Sequence, residues 1–168
     1  MTKFGLAQNV RRVEDPRLLT GAGRYTDDIA LPNEAVATVL RSPHAAARIT
    51  TMDVEAARAL PGVLAIYTGA DLTADGIGGI PCGVPITNRD GSKRAEVPHH
   101  ALASGAVRHV GDPVAFIVAE THQAARDAAE AVFVEYEILP SVTDLGATLD
   151  AGAPAVWDDV PGNMAFDW

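Results

Sequence analysis

Residues 107–139 constrain the fold more than any other part of the sequence, because strand, helix and strand patterns follow one another there. Residues 114–119 form an unbroken apolar run, as expected for a strand covered on both faces. Thr121 offers an N-cap hydroxyl to residues 122–131, which carry alanines at helical spacing. Residues 132–139 alternate in polarity and predict a second strand. Its predicted dry face holds Val132, Val134, Tyr136 and Ile138.

An earlier part of the chain predicts a second unit of the same kind. Strand patterns at 35–41 and 48–52 precede a helix at 54–60, with Asp53 as N-cap, and a strand at 63–67 follows Pro61-Gly62. The two units share no residue-level match, so we do not interpret them as a repeat.

Turn chemistry dominates the rest of the chain. Residues 1–33 predict an N-terminal arm with one short strand at 24–26. Residues 68–106 turn to Gly, Pro and polar residues, which indicates a long functional or interface loop, with Asn88-Arg89-Asp90-Gly91 closing a hairpin. After residue 145 we expect a connection, 146–168.

Charge and cysteine content exclude several functions. The net charge of −9 argues against a nucleic-acid partner, since phosphates require clustered Lys and Arg. The lone Cys82 excludes an internal disulfide and any iron–sulfur cluster ligated by cysteines of this chain alone. No apolar run reaches the roughly 20 residues of a transmembrane helix and no signal pattern opens the sequence, so we expect a cytoplasmic protein.

Several short motifs are better explained by a structural role than by ligand binding or catalysis. Gly21-Ala22-Gly23 lacks the third glycine and the strand and helix of a dinucleotide site. Adjacent histidines point apart in an extended chain, so His99-His100 predicts loop residues, and Cys82 has no flanking base. The paired acids are expected to be solvated; they are Glu14-Asp15, Asp27-Asp28 and Asp158-Asp159.

The segment Arg41-Ser42-Pro43-His44 is more informative, because a strand that ends in Arg and a proline turn places two donor groups at a sheet rim. A plainer interpretation is that Arg41 pairs with a local acid and His44 caps a turn. From the residues alone the plainer interpretation is favoured.

Five blocks, in order along nearly the whole chain, resemble the molybdenum-containing hydroxylases. The blocks are R-V-E-D-P-R-L-L-T-G-A-G-R-Y-T-D-D-I-A-L-P, L-R-S-P-H-A-A-A-R-I, P-G-V-L-A-I-Y-T-G-A-D-L, V-R-H-V-G-D-P-V-A-F-I-V-A-E-T and E-Y-E-I-L-P. That family includes the large subunits of aerobic carbon monoxide dehydrogenase, aldehyde oxidoreductase and xanthine dehydrogenase. The resemblance implies an α+β fold, the α/β-hammerhead, with a mixed sheet and two strand-helix-strand units. The hammerhead would occupy residues 34–145.

The resemblance also implies that the cofactors are held outside this chain. The molybdopterin-type molybdenum cofactor would be bound by other parts of the large subunit, with [2Fe-2S] clusters and FAD on partner subunits. No residue of this chain matches the family's catalytic or cofactor-binding positions. The implied role is packing against the cofactor-binding part, the iron–sulfur subunit and possibly the FAD subunit. The candidate interface residues are Arg41, Ser42, Pro43, His44, Gly111, Asp112 and Pro113.

Two other interpretations remain open. An autonomous module that binds a small molecule or a protein could reuse the scaffold, since fold does not determine function. Such a module is expected to have a closed surface and one defined pocket, whereas a component should expose apolar patches. An enzyme acting through Cys82 or His99-His100 is the third interpretation, although neither has a nameable base.

Overall fold

The computed structural model describes residues 11–168, which fall into two units that meet between Glu34 and Ala35. The described part of the first unit contains one short helix, α1 (Asp15–Leu19), and a 3-10 turn (Thr26–Asp28). The prediction of a strand at 24–26 is wrong. A side-chain oxygen of Asp28 accepts the backbone N–H of Tyr25 at 2.8 Å, and this bond closes a turn where a strand would need an extended chain.

The second unit contains six strands in two sheets of three, both antiparallel throughout. The first sheet has the order β1-β5-β3 and the second the order β4-β2-β6. The strands are β1 (Val36–Arg41), β2 (Ala47–Asp53), β3 (Val63–Thr68), β4 (Ala106–Val107), β5 (Pro113–Ala119) and β6 (Phe133–Ile138). The helices are α2 (Glu55–Arg58), α3 (Gly69–Ala74) and α4 (His122–Ala131).

The α+β class and the two strand-helix-strand units are confirmed, but the mixed sheet is not found. Helix α2 connects β2 of the second sheet to β3 of the first, and α4 connects β5 of the first to β6 of the second. A parallel pair requires both strands of a crossover to lie in one sheet. Each strand-helix-strand segment instead passes from one sheet to the other, so neither creates a parallel pair. All strand pairs of residues 35–168 are antiparallel.

The main core lies between the first sheet and the helices α2 and α4. Ala115 and Ile117 of β5 are fully buried and pack in one cluster with Ala57 of α2 and Ala128 of α4. Alanine on both surfaces lets a helix lie close to a sheet. The alanine-rich stripe of residues 122–131 therefore forms the predicted helix and covers one face of the strand predicted at 114–119. The prediction that this strand is covered on both faces is wrong, because Phe116 on the other face is 37% exposed.

A second, smaller core lies beside the second sheet. Ala47, Ala103, Val107 and Val114 form its buried centre. Leu40, Met52 and Val134 pack against both clusters, so the two cores are continuous. The strand predicted at 132–139 is β6, but Ile138 is exposed, so its predicted dry face is only partly dry.

Local sequence signals account for several further elements. The helix predicted at 54–60 is the shorter α2, and a carboxylate oxygen of Asp53 accepts the N–H of Glu55 at 2.9 Å at its start. The predicted hairpin at 88–91 is confirmed, because Thr87 pairs with Lys93 and Asn88 N–H donates to the carbonyl of Ser92. Among residues 11–168, no helix has the length and apolar character needed to cross a membrane.

Helix α3 was missed, because residues 68–106 were predicted to be a loop. Its start is fixed by a capping box in which Thr68 N–H and Oγ1 both donate to the Asp71 carboxylate at 2.7 Å. Gly69 is also required, since a Cβ there would collide with the backbone carbonyl of Ala103. The sequence T-G-A-D at residues 68–71 is a helix-start signal, but the glycine-rich stretch that follows it indicated a loop.

Replacing Ile117 with Ala tests the main core. Ile117 is fully buried at the centre of β5, so we expect Ile117→Ala to lower the free energy of unfolding by about 2–5 kcal/mol. Urea denaturation measures this loss. Leu64→Ala, at an exposed position on β3, is the matched control and should cost much less. Equal costs for the two variants would contradict the proposed core.

The Asp71 cap predicts a pH dependence. The side-chain and backbone hydrogen bonds from Thr68 lower the pKa of Asp71 below its usual value of 3.8. A lowered pKa in the folded state means that the cap stabilises the fold above about pH 4 and that this stabilisation is lost on acidification. In urea titrations at a series of pH values, Asp71→Asn should show a smaller acid-induced loss than wild type. Asp75→Asn, exposed at the end of the same helix, should keep the wild-type profile.

Candidate functional site

The two predicted interface segments meet at one rim of the first sheet, although about seventy residues separate them in the chain. Ser42 N–H donates to the carbonyl of Asp112 at 2.9 Å, and Gly111 N–H donates back to the carbonyl of Ser42 at 2.8 Å. Arg41 Nη1 donates to the carbonyl of Gly111 at 2.9 Å. Arg41 therefore bonds to a backbone carbonyl and not to the local acid that the plainer interpretation proposed. These hydrogen bonds join residues 41–42 and 111–112 into one rim.

Backbone geometry explains why these residue types stand at the rim. Arg41 pairs with Pro113 across an irregularity in the β1–β5 ladder, where Pro113 has no N–H to donate. Gly111 has φ +89°, a conformation that a residue with a Cβ rarely adopts. A carboxylate oxygen of Asp112 accepts the N–H of Arg108 at 2.9 Å and closes the turn from the other side.

Ser42 is the buried centre of the rim. It is 2% exposed, and its Oγ accepts the N–H of His44 at 3.0 Å while lying 3.2 Å from the His44 carbonyl. Pro43, between them, is exposed. The hydroxyl therefore fixes the turn that connects β1 to β2, which is a structural role.

His44 does more than cap a turn, because its ring packs edge-on against Tyr136 of β6, with ring centroids 5.0 Å apart. Partial burial raises the pKa of the Tyr136 hydroxyl, and the Ser42 hydroxyl acts in the opposite direction. The ring contact ties the rim of the first sheet to the second sheet. Sequence reasoning named His44 but gave it no partner.

The other residues considered for chemistry have no hydrogen bond to the rim among the described contacts. Cys82 is exposed, and the carbonyl of His99 accepts the N–H of Ile80 at 2.7 Å in an isolated bridge. Glu14 pairs with Arg17 at 2.7 Å, both exposed. Within residues 11–168, no three His, Cys, Asp or Glu side chains cluster as a metal site would require.

Two contacts near the end of the chain were missed. The guanidinium of Arg108 stacks over Trp157 at 3.7 Å from the ring centroid. Asn163, at φ +55°, accepts the N–H of Val156 at 2.8 Å and donates its amide to the carbonyls of Thr148 and Pro154. Asn is among the few residues that adopt positive φ readily, so Gly162-Asn163 after Pro161 was a usable turn signal. No local signal marks the Arg108–Trp157 pair.

Comparison with known proteins adds context to this geometry. The family described as aldehyde oxidase and xanthine dehydrogenase, a/b hammerhead domain, matches residues 20–140. The nicotine 6-hydroxylase large subunit of Paenarthrobacter nicotinovorans is 37% identical over 166 residues, which are 99% of this chain and 20% of that protein.

Solved structures agree with the sequence relatives. Quinoline 2-oxidoreductase from Pseudomonas putida 86 superposes with a TM-score of 0.76 at 40% identity, over 91% of this chain and 19% of that chain. The Cu,Mo-CO dehydrogenase superposes with a TM-score of 0.74 at 34% identity, over 96% and 19%. This chain thus spans about a fifth of the length of each of these proteins.

Removing the Ser42 hydroxyl tests the rim. We expect Ser42→Ala to cost about 1–3 kcal/mol in the free energy of unfolding, because the His44 backbone groups lose a buried partner. It should also raise the pKa of Tyr136 further, since the Ser42 hydroxyl lowers it. Urea denaturation measures the first effect and an NMR-detected tyrosine titration the second. Ser104→Ala, at an exposed serine, should change neither.

Proposed function

Because the chain belongs to the aldehyde oxidase and xanthine dehydrogenase hammerhead family, we propose that it serves as the N-terminal structural domain, or a split subunit, of a molybdenum hydroxylase. The enzyme as a whole would oxidise carbon monoxide, aldehydes or N-heterocycles. Two relatives support the carbon monoxide and N-heterocycle parts of this range, since one is named a nicotine 6-hydroxylase large subunit and one a Cu,Mo-CO dehydrogenase. The cytoplasm is the proposed location.

The observation that carries this proposal is the apolar surface that the fold leaves open. On the face of the first sheet opposite Ile117, Phe116 of β5 pairs in register with Val39 of β1 and Tyr67 of β3. Phe116 and Tyr67 are each more than a third exposed. Large exposed patches of this kind mark interaction surfaces in soluble proteins. The second unit also exposes Val110, Ile138, Leu145 and Trp168.

The alternative, an autonomous binding module, is less well supported by the same surface. Such a module should close its surface around one pocket. A concavity of about 720 Å³ in the second unit is lined mainly by β4 and the segments 108–110, 139–143 and 152–158, and it is only about half enclosed. We therefore favour the component.

The proposed division of the chain follows from this role. Residues 1–33 would be an arm that lies on neighbouring domains, 34–145 the hammerhead body, and 146–168 the connection toward the cofactor-binding domains. The molybdopterin-type cofactor would supply hydroxylation of an electron-poor carbon from a site elsewhere in the large subunit. [2Fe-2S] and FAD centres would lie on partner subunits. We assign residues 11–168 no catalytic step, only support of the domains that hold these centres.

Native mass spectrometry of the protein from its source, with molybdenum and iron quantified in the same sample, tests the proposal. We expect this sequence within a complex that carries both metals. A metal-free monomer or small homo-oligomer would contradict the component role and favour the binding module.

The rim is the proposed contact with the rest of the enzyme, through Arg41, Ser42, Pro43, His44, Gly111, Asp112 and Pro113. We expect Arg41→Ala with His44→Ala to weaken association with the rest of the enzyme by about tenfold. A subunit titration followed by native mass spectrometry measures the dissociation constant.

A matched pair of variants controls for general effects. Arg126→Ala with His122→Ala removes the same side chains from α4, which begins beyond the end of β5 opposite the rim. This pair should assemble like the wild type. Unchanged assembly of the rim variant would refute the interface.

A further inference from the structure

Strand β6 lies at an edge of the second sheet, because it pairs with β2 on one side and with no other strand of residues 11–168. The strand at the opposite edge, β4, has two residues, whereas β6 has six. Very short edge strands are one way in which proteins avoid pairing with another chain. Of these two edges, β6 is therefore the one long enough to receive a further strand.

Two hydrogen bonds show which backbone groups of β6 face outward. Leu139 N–H donates to the carbonyl of Ala46, the residue before β2, at 3.0 Å. The carbonyl of Glu135 accepts the Thr50 hydroxyl at 3.2 Å and so faces β2 as well. In an antiparallel ladder, the residues between those that bond to one neighbour direct N–H and C=O to the opposite edge. The outward-facing residues of β6 are therefore Val134, Tyr136 and Ile138.

This outer edge is unoccupied and apolar at its ends. Among the described residues, no hydrogen-bond partner is found for the outward N–H and C=O groups of Val134, Tyr136 or Ile138. Phe133 and Ile138, the first and last residues of β6, are each more than half exposed. Strand addition uses unpaired backbone groups for affinity and contacts with alternate side chains for specificity.

The exposed face of β6 carries two carboxylates, Glu135 and Glu137. The Glu135 carboxylate accepts the Thr51 hydroxyl at 3.2 Å. The Glu137 carboxylate lies 3.4 Å from Nη1 of Arg48, but both side chains are more than half exposed, so this pair contributes little. Lys or Arg on an added strand, directly opposite these glutamates, would form favourable cross-strand pairs.

The same charges disfavour a second copy of this chain as the occupant. In the two longest antiparallel self-pairings of β6, the twofold axis passes through Glu135 or through Tyr136. The first places Glu135 opposite its own copy, and the second places Glu135 opposite Glu137. Like charges directly opposite each other destabilise a strand pair. The edge therefore favours a different strand, one that is basic.

From these observations we propose that the outer edge of β6 pairs with an extended segment of the rest of the enzyme that carries Lys or Arg opposite Glu135 and Glu137. This proposal rests on the proposed function, because it takes the partner to be another part of a molybdenum hydroxylase. The rim belongs to the first sheet, so the β6 edge is a second and separate contact.

Hydrogen exchange of the assembled enzyme, resolved to single amides by fragmentation mass spectrometry, tests the pairing. We expect the amides of Tyr136 and Ile138 to exchange about a hundredfold more slowly than unprotected amides. The Glu137 amide faces β2 and should be protected with or without a partner, so it is the internal control. Free exchange at Tyr136 and Ile138 beside a protected Glu137 would overturn the proposal. The two glutamates would then serve to keep the edge unpaired.

Proline at position 138 tests the backbone pairing directly. Ile138→Pro removes an outward N–H and leaves the bonds to β2, a position at which edge strands tolerate proline. In the assembled enzyme it should speed exchange of the Tyr136 amide about tenfold, as expected for the loss of one hydrogen bond. Ile138→Ala keeps the N–H and is the matched control, with a smaller expected effect. Equal effects of the two variants would contradict strand pairing, and continued protection of Glu137 shows that the fold is kept.

Neutralising the two glutamates tests the basic character of the partner. Glu135→Gln with Glu137→Gln should speed Tyr136 exchange in the assembled enzyme about fivefold at low salt, and by less at high salt, where surface charges are screened. Asp127→Asn with Glu130→Gln removes the same charge from exposed positions of α4 and should leave this exchange unchanged. An equal effect of the control pair would refute a basic strand.

The outcomes distinguish this proposal from the proposed function. If the sequence occurs in a molybdenum-containing complex and the outward amides of β6 exchange freely, strand addition is refuted while the proposed function stands. Protection of the same amides in a homo-oligomer of the chain alone would assign the edge to a second copy and also refute it. If the sequence occurs in no such complex, the proposed function fails, and this proposal fails with it.

Discussion

The burial of β5 is the constraint on which the rest of the structure depends. This strand is the centre of the first sheet, and its Ala115 and Ile117 pack under the alanine face of α4. Its first residue, Pro113, pairs with Arg41 and so sets the position of the rim. Its last residues lead into α4, which crosses to the second sheet. Because the same strand defines one sheet, the main core and the link between sheets, disturbing it is expected to affect all three.

Periodicity predicted the elements well where each buries one regular face. The apolar run of β5 and the alanine spacing of α4 are short-range patterns, and both elements have nearly the predicted bounds. Sheet membership is a long-range property, which is why a mixed sheet was expected where two antiparallel sheets occur. Helix α3 was not predicted for a different reason. Its capping signal at Thr68 and Asp71 lies next to a glycine-rich stretch, and that composition is typical of a loop.

The candidate site was predictable only as two separate segments. Arg41 and His44 were selected because they follow a strand, and Gly111 because it lies in a polar turn. That these segments share hydrogen bonds follows from the β1–β5 register, and the His44–Tyr136 ring contact follows from the crossover of α4. The stacking of Arg108 on Trp157 joins residues about fifty positions apart, so no local pattern could indicate it.

The core is rich in alanine, whereas several large apolar side chains are exposed to solvent. Each buried methylene contributes about 0.8 kcal/mol, so alanine contributes far less on burial than the larger Phe116, Tyr67 or Trp168. Those side chains are at least a third exposed in this chain, and most of their stabilisation would be gained only against a partner. A partner that binds the folded state alone raises its stability by mass action. Under the proposed function, we therefore expect the stability of this domain to depend on its partner, and changes at the exposed face of the first sheet to act mainly when that partner is bound.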